Sequence, residues 1–343
     1  MSHPTRRLLS EMAHLDLHFL NVGHGDCTFI DPPSGRLTMI DVNNSKSLPA
    51  GDPEALAEHD KLSLDAFFKR SFWSWSQTTP EEQYRSRLAD PYKYYRKHFT
   101  GREIFRYIQT HPDLDHMTGL WGFFWHDRIE LRNVWDVQNN KSFARADFDG
   151  TRYDWNDWTT YCELRRGRRS GKKHKVQHPY AGDEGLWTED GLSILSPTRQ
   201  LVDYCNERED WNNASFILSV DFGGRRVILP GDAEKVAWDS VESRYEADQL
   251  GCDVLKASHH GRRSDYSKSA VTTMAPSLVV CSVGKKPETD ASAKYKHHGA
   301  QVFSTRYRGN MRLRIWDSGK AELTDRNGSV IGKLPRLRAP SWW

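Results

Sequence analysis

Thr110-His111-Pro112-Asp113-Leu114-Asp115-His116 places two imidazoles and two carboxylates within six residues, directly after an apolar, strand-like run from Ile104 to Ile108. A strand that ends in such a loop projects alternate side chains into a cleft. His and Asp at i, i+2, i+4 and i+5 can then converge on one or two divalent cations. A polar turn with an Asp-rich helix cap uses the same residue types. Four donor-type residues at this spacing, with matching pieces elsewhere in the chain, favour the cation reading.

The chain has 343 residues, enough for a substantial core. Only 37% are hydrophobic, but 13 Trp bury large areas, so the composition reads as one core carrying polar, aromatic-rich insertions. A net charge of +3 creates no global field that would announce a polyanionic partner. Cys27, Cys162, Cys205, Cys252 and Cys281 are scattered and form no C-x-x-C pair. That argues against a disulfide framework or thiolate zinc site and for a reducing compartment. No run of 18 apolar residues and no apolar signal region are present, so a soluble, cytoplasmic protein without a membrane partner is expected.

Alternation predicts strands at Leu15–Val22, Cys27–Ile30 and Leu37–Ile40, a β-meander broken by Gly23-His24-Gly25-Asp26 and Asp31-Pro32-Pro33-Ser34-Gly35. Residues 44–100 interrupt it with polar, aromatic sequence expected to be helical at Pro53–Lys69 and Pro80–Phe99. Met117–Trp125 reads as the start of a buried helix, and 141–190 as a second, irregular insertion. Strands return at Leu192–Leu195, Phe216–Phe222, Arg225–Leu229, Val254–Ala257 and Leu278–Val283, with a helix at Ala233–Leu250 and a hairpin at Met311–Thr324. Strand-rich halves interrupted by helices suggest an α+β sandwich, sheets inside and helices outside. A single domain with a core at about 15–325 follows.

Three strands other than Ile104–Ile108 also end in donors: Leu37–Ile40 at Asp41, Val227–Leu229 at Asp232, and Asp253–Ala257 at His259 and His260. With Phe19–Asp26, Asn212-Asn213-Ala214-Ser215, Gly231-Asp232-Ala233-Glu234, Leu255–Gly261 and Tyr295-Lys296-His297-His298, the chain resembles the metallo-β-lactamase superfamily, specifically its ComEC-like branch. The motifs occur in family order and span most of the chain outside the insertions. The resemblance implies a four-layer αβ/βα sandwich with two divalent metal ions at one edge. It assigns His111 and Asp113 to one metal, Asp115 and His116 to the other, Asp232 as a bridge and His259 as the last ligand, with His260 an alternative. Asp41 and Asn213 would support these from behind.

Two departures from the superfamily pattern stand out. Asp113 replaces the commonest His, as in the ComEC-like branch, and the usual His of the third motif is missing, with Asn212-Asn213 in its region. Carboxylate-rich ligation makes Mn²⁺ a competitor to Zn²⁺. His174 or His178 could supply a replacement ligand from the second insertion, although a solvated surface position accounts for either.

Two such metals, roughly 3.5–4 Å apart, generate a bridging hydroxide near neutral pH and polarise a phosphoryl oxygen. In this scheme Asp115 positions the nucleophile and His260 protonates the leaving alkoxide. The run Arg165-Arg166-Gly167-Arg168-Arg169-Ser170-Gly171-Lys172-Lys173-His174-Lys175 contains no acid and is expected to be an exposed loop able to track a phosphate backbone. Flanking Trp155, Trp158, Tyr161, Tyr180 and Trp187 would stack bases if exposed. Arg262 and Arg263 are phosphate-contact candidates by position, whereas Phe67–Trp75 reads as helix packing. The expected activity is a free-standing bacterial phosphodiesterase acting on nucleic acid, most of all a DNA nuclease. The alternatives are a small-molecule phosphodiesterase, for a choline phosphoester or cyclic nucleotide, and a catalytically weak binding module.

Overall fold

The computed structural model describes residues 13–44, 46, 56, 84–282 and 290–335. The N-terminal alternation forms a meander of β1 (His14–Phe19), β2 (Thr28–Asp31) and β3 (Thr38–Ile40), each antiparallel to the next. Leu15, Leu17 and Phe19 take one face of β1, and a period of two makes this face the one that meets the second sheet. A short β4 (Val42–Asn43) follows, then β5 (Ile104–Ile108), β6 (Met117–Thr118), β7 (Leu131–Trp135), β8 (Arg168–Arg169), β9 (Lys172–Lys173) and β10 (Lys175–Gln177). The second sheet uses β11 (Leu192–Ser196), β12 (Ile217–Phe222), β13 (Arg225–Leu229), β14 (Val254–Lys256), β15 (Leu278–Cys281) and β16 (Gln301–Ser304). The chain then returns to the first sheet with β17 (Met311–Trp316), β18 (Ala321–Thr324) and β19 (Val330–Lys333).

The first sheet runs β10-β7-β5-β3-β2-β1-β17-β18-β19 and the second β11-β12-β13-β14-β15-β16. Leu17, Ile108, Trp135, Leu218, Val227 and Val280 pack between them. Behind the first sheet, Phe29, Met39, Tyr107 and Val134 pack against the helices Pro91–His98 and Trp155–Arg165. Behind the second, Ile228, Leu255 and Val279 pack against Arg199–Arg208, Lys235–Glu242 and Lys268–Met274. The layers are therefore helix, sheet, sheet, helix.

Strands β3, β5 and β7 are mutually parallel, as are β13, β14 and β15. Their C-terminal ends therefore open onto a common edge, where loops can converge on a ligand. Thr110 O accepts from Phe216 N at 3.1 Å and ties the two sheets together at this edge.

Several local expectations need correction. The helix expected at Pro80–Phe99 is interrupted: Tyr84 and Arg85 are helical, the chain turns over 86–88, and a helix starts afresh at Pro91, with Asp90 Oδ1 accepting from Lys93 N; proline has no N–H to offer and sits best in a first turn. Of the helix expected at Pro53–Lys69 only Leu56, helical and buried, is described; its other residues and the Phe67–Trp75 cluster lie outside the described residues. Met117–Thr118 pairs with Val42–Asn43 as a parallel strand, and the helix begins only at Trp121, wound i→i+5 to His126. Ala233–Leu250 is two helices, Lys235–Glu242 and Ala247–Leu250, the second started by the Gln249 side chain accepting from Glu246 N at 2.9 Å. Residues 141–190 are more regular than expected, since they add a helix, a β8–β9 hairpin and the edge strand β10, parallel to β7. No helix among the described residues is long and apolar enough to cross a membrane.

Candidate metal centre

Strand β3 ends at Asp41, whose backbone turns into the left-handed region at φ 53° and directs its carboxylate under the 111–116 loop. Asp41 Oδ1 accepts from Thr110 N at 2.8 Å, and Oδ2 from Thr110 Oγ1 at 2.7 Å. Asp41 Oδ2 also lies 2.8 Å from His116 Nδ1. A carboxylate there keeps the proton on Nδ1 and leaves Nε2 as a lone pair. Thr110 Oγ1, having donated to Asp41, can accept from His111 Nδ1 at 3.0 Å, with the same effect on His111. Gln109 closes the loop from below, donating to the carbonyls of His111 (2.7 Å) and His116 (3.2 Å).

The freed nitrogens face one point. His116 Nε2 and His260 Nε2 each lie 3.2 Å from Asp232 Oδ2, and His111 Nε2 lies 4.0 Å from it. His260 Nε2 is also 3.4 Å from Asp115 Oδ2. None of these imidazole nitrogens makes a hydrogen bond, nor does Asp232 Oδ1, although all are buried. Buried polar atoms left without partners are rare and costly. Nitrogen and oxygen donors converging in this way fit a divalent cation, so the cluster is a candidate metal-binding site. Burial raises the Asp232 carboxyl, but His116, His260 and His259 in their protonated forms outweigh it and hold the group well below its ordinary range. It is a carboxylate at any ordinary pH.

Of the two histidines that the sequence reading left as alternatives for the last ligand, His260 is the one turned toward the other donors. The backbone passes through positive φ at His259 (46°), His260 (62°) and Gly261 (95°). This tight reversal drives His260 inward, wholly buried among Asp26, Asp115 and Asp232. His260 therefore has no free edge to present to a leaving group. His259 lies at the rim, Nε2 3.5 Å from Asp232 and Nδ1 2.9 Å from Asp265 and 3.3 Å from Glu234.

The Gly23–Asp26 segment, read from sequence as a turn and as part of the Phe19–Asp26 motif but given no site role, enters the cluster. Asp26 lies 3.6 Å from His260 Nδ1, and its charge is balanced by Lys256 Nζ at 2.5 Å, both side chains being buried. Ser282 Oγ completes the group, donating to Asp26 Oδ1 at 2.6 Å. His24 Nε2 is 3.5 Å from Asp115 Oδ2 and 2.7 Å from Arg262 Nη2. Gly25 is required here, because a Cβ at its φ of 130° would collide with the Asn43 side chain and the Asp115 carbonyl.

On the other side, Asp113 Oδ2 is 3.7 Å from His111 Nε2, while Oδ1 is taken by the Lys141 ammonium. Burial raises the Asp113 carboxyl, and His111 and Lys141 more than reverse this, leaving it well below the ordinary range. Of the asparagines in the third-motif region, Asn212 lines the cavity and donates to Glu234 at 3.1 Å. Asn213, expected behind the ligands, instead accepts from Ala237 N at 2.9 Å and donates to Asp210 at 2.8 Å. It secures a helix start and touches none of the clustered donors.

The basic stretch is also corrected. Arg165 turns inward, donating to the buried Asp136 at 2.8 Å, and Arg169 is 2% exposed, donating to Ile129 O and Glu130. Arg166 and Arg168 are exposed but lie 2.8 and 3.3 Å from Glu163. Glu130 precedes β7, so Arg169 and Lys172 sit at the sheet edge opposite the donors. The flanking aromatics Trp158, Tyr161 and Trp187 are buried, so they cannot stack bases. His174 and His178 bind the carbonyls of Leu164 (2.8 Å) and Asp136 (2.7 Å) and do not approach the cluster.

A polar cavity of about 530 Å³ opens over the donors. Its wall includes Asp113, Asp115, Asp232 and His259, together with Arg262 and with Arg152 and Tyr153 from the second insertion. Arg263 is exposed.

No family model matches the chain. Over 119 residues it is 28% identical to ComE operon protein 3 of Bacillus subtilis, a match covering 35% of this chain and 13% of that one. Over 142 residues it is 28% identical to Recombination protein 2 of Haemophilus influenzae, covering 40% of this chain and 17% of that one. The matched stretches thus span under a fifth of either relative's length. Solved structures similar to it include Igni18, a metallo hydrolase of Ignicoccus hospitalis (TM-score 0.45, 14% identity, 87% of this chain and 98% of that one). Another is the metallo-beta-lactamase fold protein YhfI of Bacillus subtilis (TM-score 0.40, 8% identity, 87% and 99%). The four-layer, two-sheet topology is the one expected from the resemblance to the metallo-β-lactamase superfamily, and the stretches matched by the two curated relatives make the chain similar to its ComEC-like branch.

Proposed function

We propose that the chain is a metal-dependent phosphodiesterase acting on DNA. The observation that carries this reading is the buried set of unpartnered donors on His111, His116, His260 and Asp232 beneath a polar cavity rimmed by Arg152 and Arg262. The name of one curated relative, a recombination protein, supports DNA over other phosphodiesters. We also assign the protein to the cytoplasm, where its five free cysteines would stay reduced.

In this reading His116, Asp232, His260 and Asp115 would hold divalent metal, with His111 and Asp113 beside them. A divalent ion there would act as a Lewis acid and lower the pKa of water. The chain's own residues do the rest. Arg262 and Arg152 contact the non-bridging phosphate oxygens and set the substrate over the donors. Asp115, facing both His24 and His260, orients the attacking oxygen. His259, at the rim and backed by Asp265, replaces His260 as the group that protonates the leaving alkoxide.

A small phosphodiester is the second reading, favoured by the cavity's size, which lies within the range of small-molecule sites. A panel of single-stranded DNA, double-stranded DNA and a small aryl phosphodiester, each with Mn²⁺ or Zn²⁺ over a range of salt, separates the two. The DNA reading expects nucleic-acid cleavage with binding that weakens steeply as salt rises. A metal-loaded protein that cleaves only the small ester would overturn it.

A further inference from the structure

We infer that Lys141 takes the place of a divalent cation at the Asp113 side of the cluster. The chain then holds one tightly bound ion, at Asp115, His116, Asp232 and His260, where the sequence pattern suggests two. The inference rests on the metal-dependent reading above and specifies its stoichiometry.

Asp113 is the donor that distinguishes this half, and one of its two oxygens is already committed to the Lys141 ammonium. That ammonium is held in place. The Lys141 side chain is 13% exposed, and its Nζ lies 4.7 Å from the centre of the Trp211 ring and 5.2 Å from that of Phe143. Aromatic faces attract a cation and stiffen a side chain that would otherwise be mobile.

Trp211 heads the turn Trp211–Ala214, the region where the superfamily pattern supplies its third-motif His. Here that segment contributes a face for an ammonium. Its two amides are engaged with Glu234, Asp210 and Ala237 and do not stand in for the imidazole. Consistent with this, among the described residues the donor groups that converge within 4.8 Å and contain Asp232 or Asp115 are Asp26–His116–Asp232–His260 and His24–Asp115–His260, the remaining group being Glu234–His259–Asp265. None includes His111 or Asp113. A fixed positive charge against Asp113 neutralises the carboxylate that a cation would need and repels the cation itself.

The test is metal content, with no activity readout. Wild type, Lys141→Met, Lys141→Gln and Lys141→Arg are equilibrated with excess Mn²⁺, freed of loosely held ions by gel filtration and analysed by mass spectrometry, with circular dichroism reporting the fold. Wild type and Lys141→Arg should retain about one ion per chain. Lys141→Met keeps the apolar stem and removes the charge, and Lys141→Gln keeps a polar end; both should retain about two. Two ions on wild type, or one on both folded neutral variants, would overturn the inference. A folded wild type that retains none overturns the metal-dependent reading itself, and the inference with it.

Discussion

The two sides of the cluster begin from the same loop, yet differ in what stands behind them. His116 and His260 are each fixed by a buried carboxylate, Asp41 for one and Asp26 for the other, and Asp26 is in turn balanced by Lys256 and Ser282. His111 is steadied by a threonine hydroxyl, and Asp113 faces a lysine ammonium. The lesson is that donor residues alone do not define a metal site. The groups that orient the donors and balance their charge decide how firmly an ion is held.

The comparison can be broken or sharpened by substitution. The largest expected effect is at Asp232, on which His111, His116, His259 and His260 all converge. Asp232→Ala should lower phosphodiester cleavage by on the order of 10³-fold, with retained circular dichroism, since it removes a charge at the reacting centre. Full activity in this variant would place the chemistry elsewhere.

Next comes Lys256→Met, which strands Asp26 as an unpaired buried charge. Urea titration should show a stability loss of about 3–5 kcal/mol. A loss under about 1 kcal/mol would mean that Asp26 is not buried as an ion. Asp41→Asn keeps the side chain's shape but removes the charge behind His116. It should weaken Mn²⁺ binding about 10–100-fold by calorimetry. Unchanged affinity would detach Asp41 from the site.

The smallest effect belongs to the basic stretch. Arg166→Ala and Arg168→Ala together should leave DNA affinity, its salt dependence and the melting temperature unchanged, because both guanidiniums already face Glu163 away from the cavity. A marked fall in the salt dependence of DNA binding would restore this stretch as a phosphate track.

The strand-end donors were legible in the sequence because alternation marks a strand and His or Asp just beyond its end marks a cleft-facing loop. The loop 111–116, Asp41, Asp232 and the pair 259–260 all come from that rule. Which histidine of the pair faces inward depends on three consecutive positive φ angles, which no periodicity encodes. The Phe19–Asp26 motif was legible but the site roles of His24 and Asp26 were not, because their glycine neighbours read as a turn and Asp26 meets Lys256 across 230 residues of sequence. Lys141 is a lone lysine in a polar stretch, and only the tertiary fold brings it to Asp113. The basic stretch misled because a count of its cations ignores the acids that meet them: Asp136, Glu130 and Glu163 lie before it in the sequence, two of them well upstream.

The most direct test of the central claim is cleavage of single-stranded DNA by chelator-stripped protein before and after Mn²⁺ is restored, with Asp232→Ala in parallel. The account predicts no cleavage by the stripped chain, recovery on adding the ion, and no recovery in the variant. Cleavage by the stripped chain, or by folded Asp232→Ala at the wild-type rate, would contradict it.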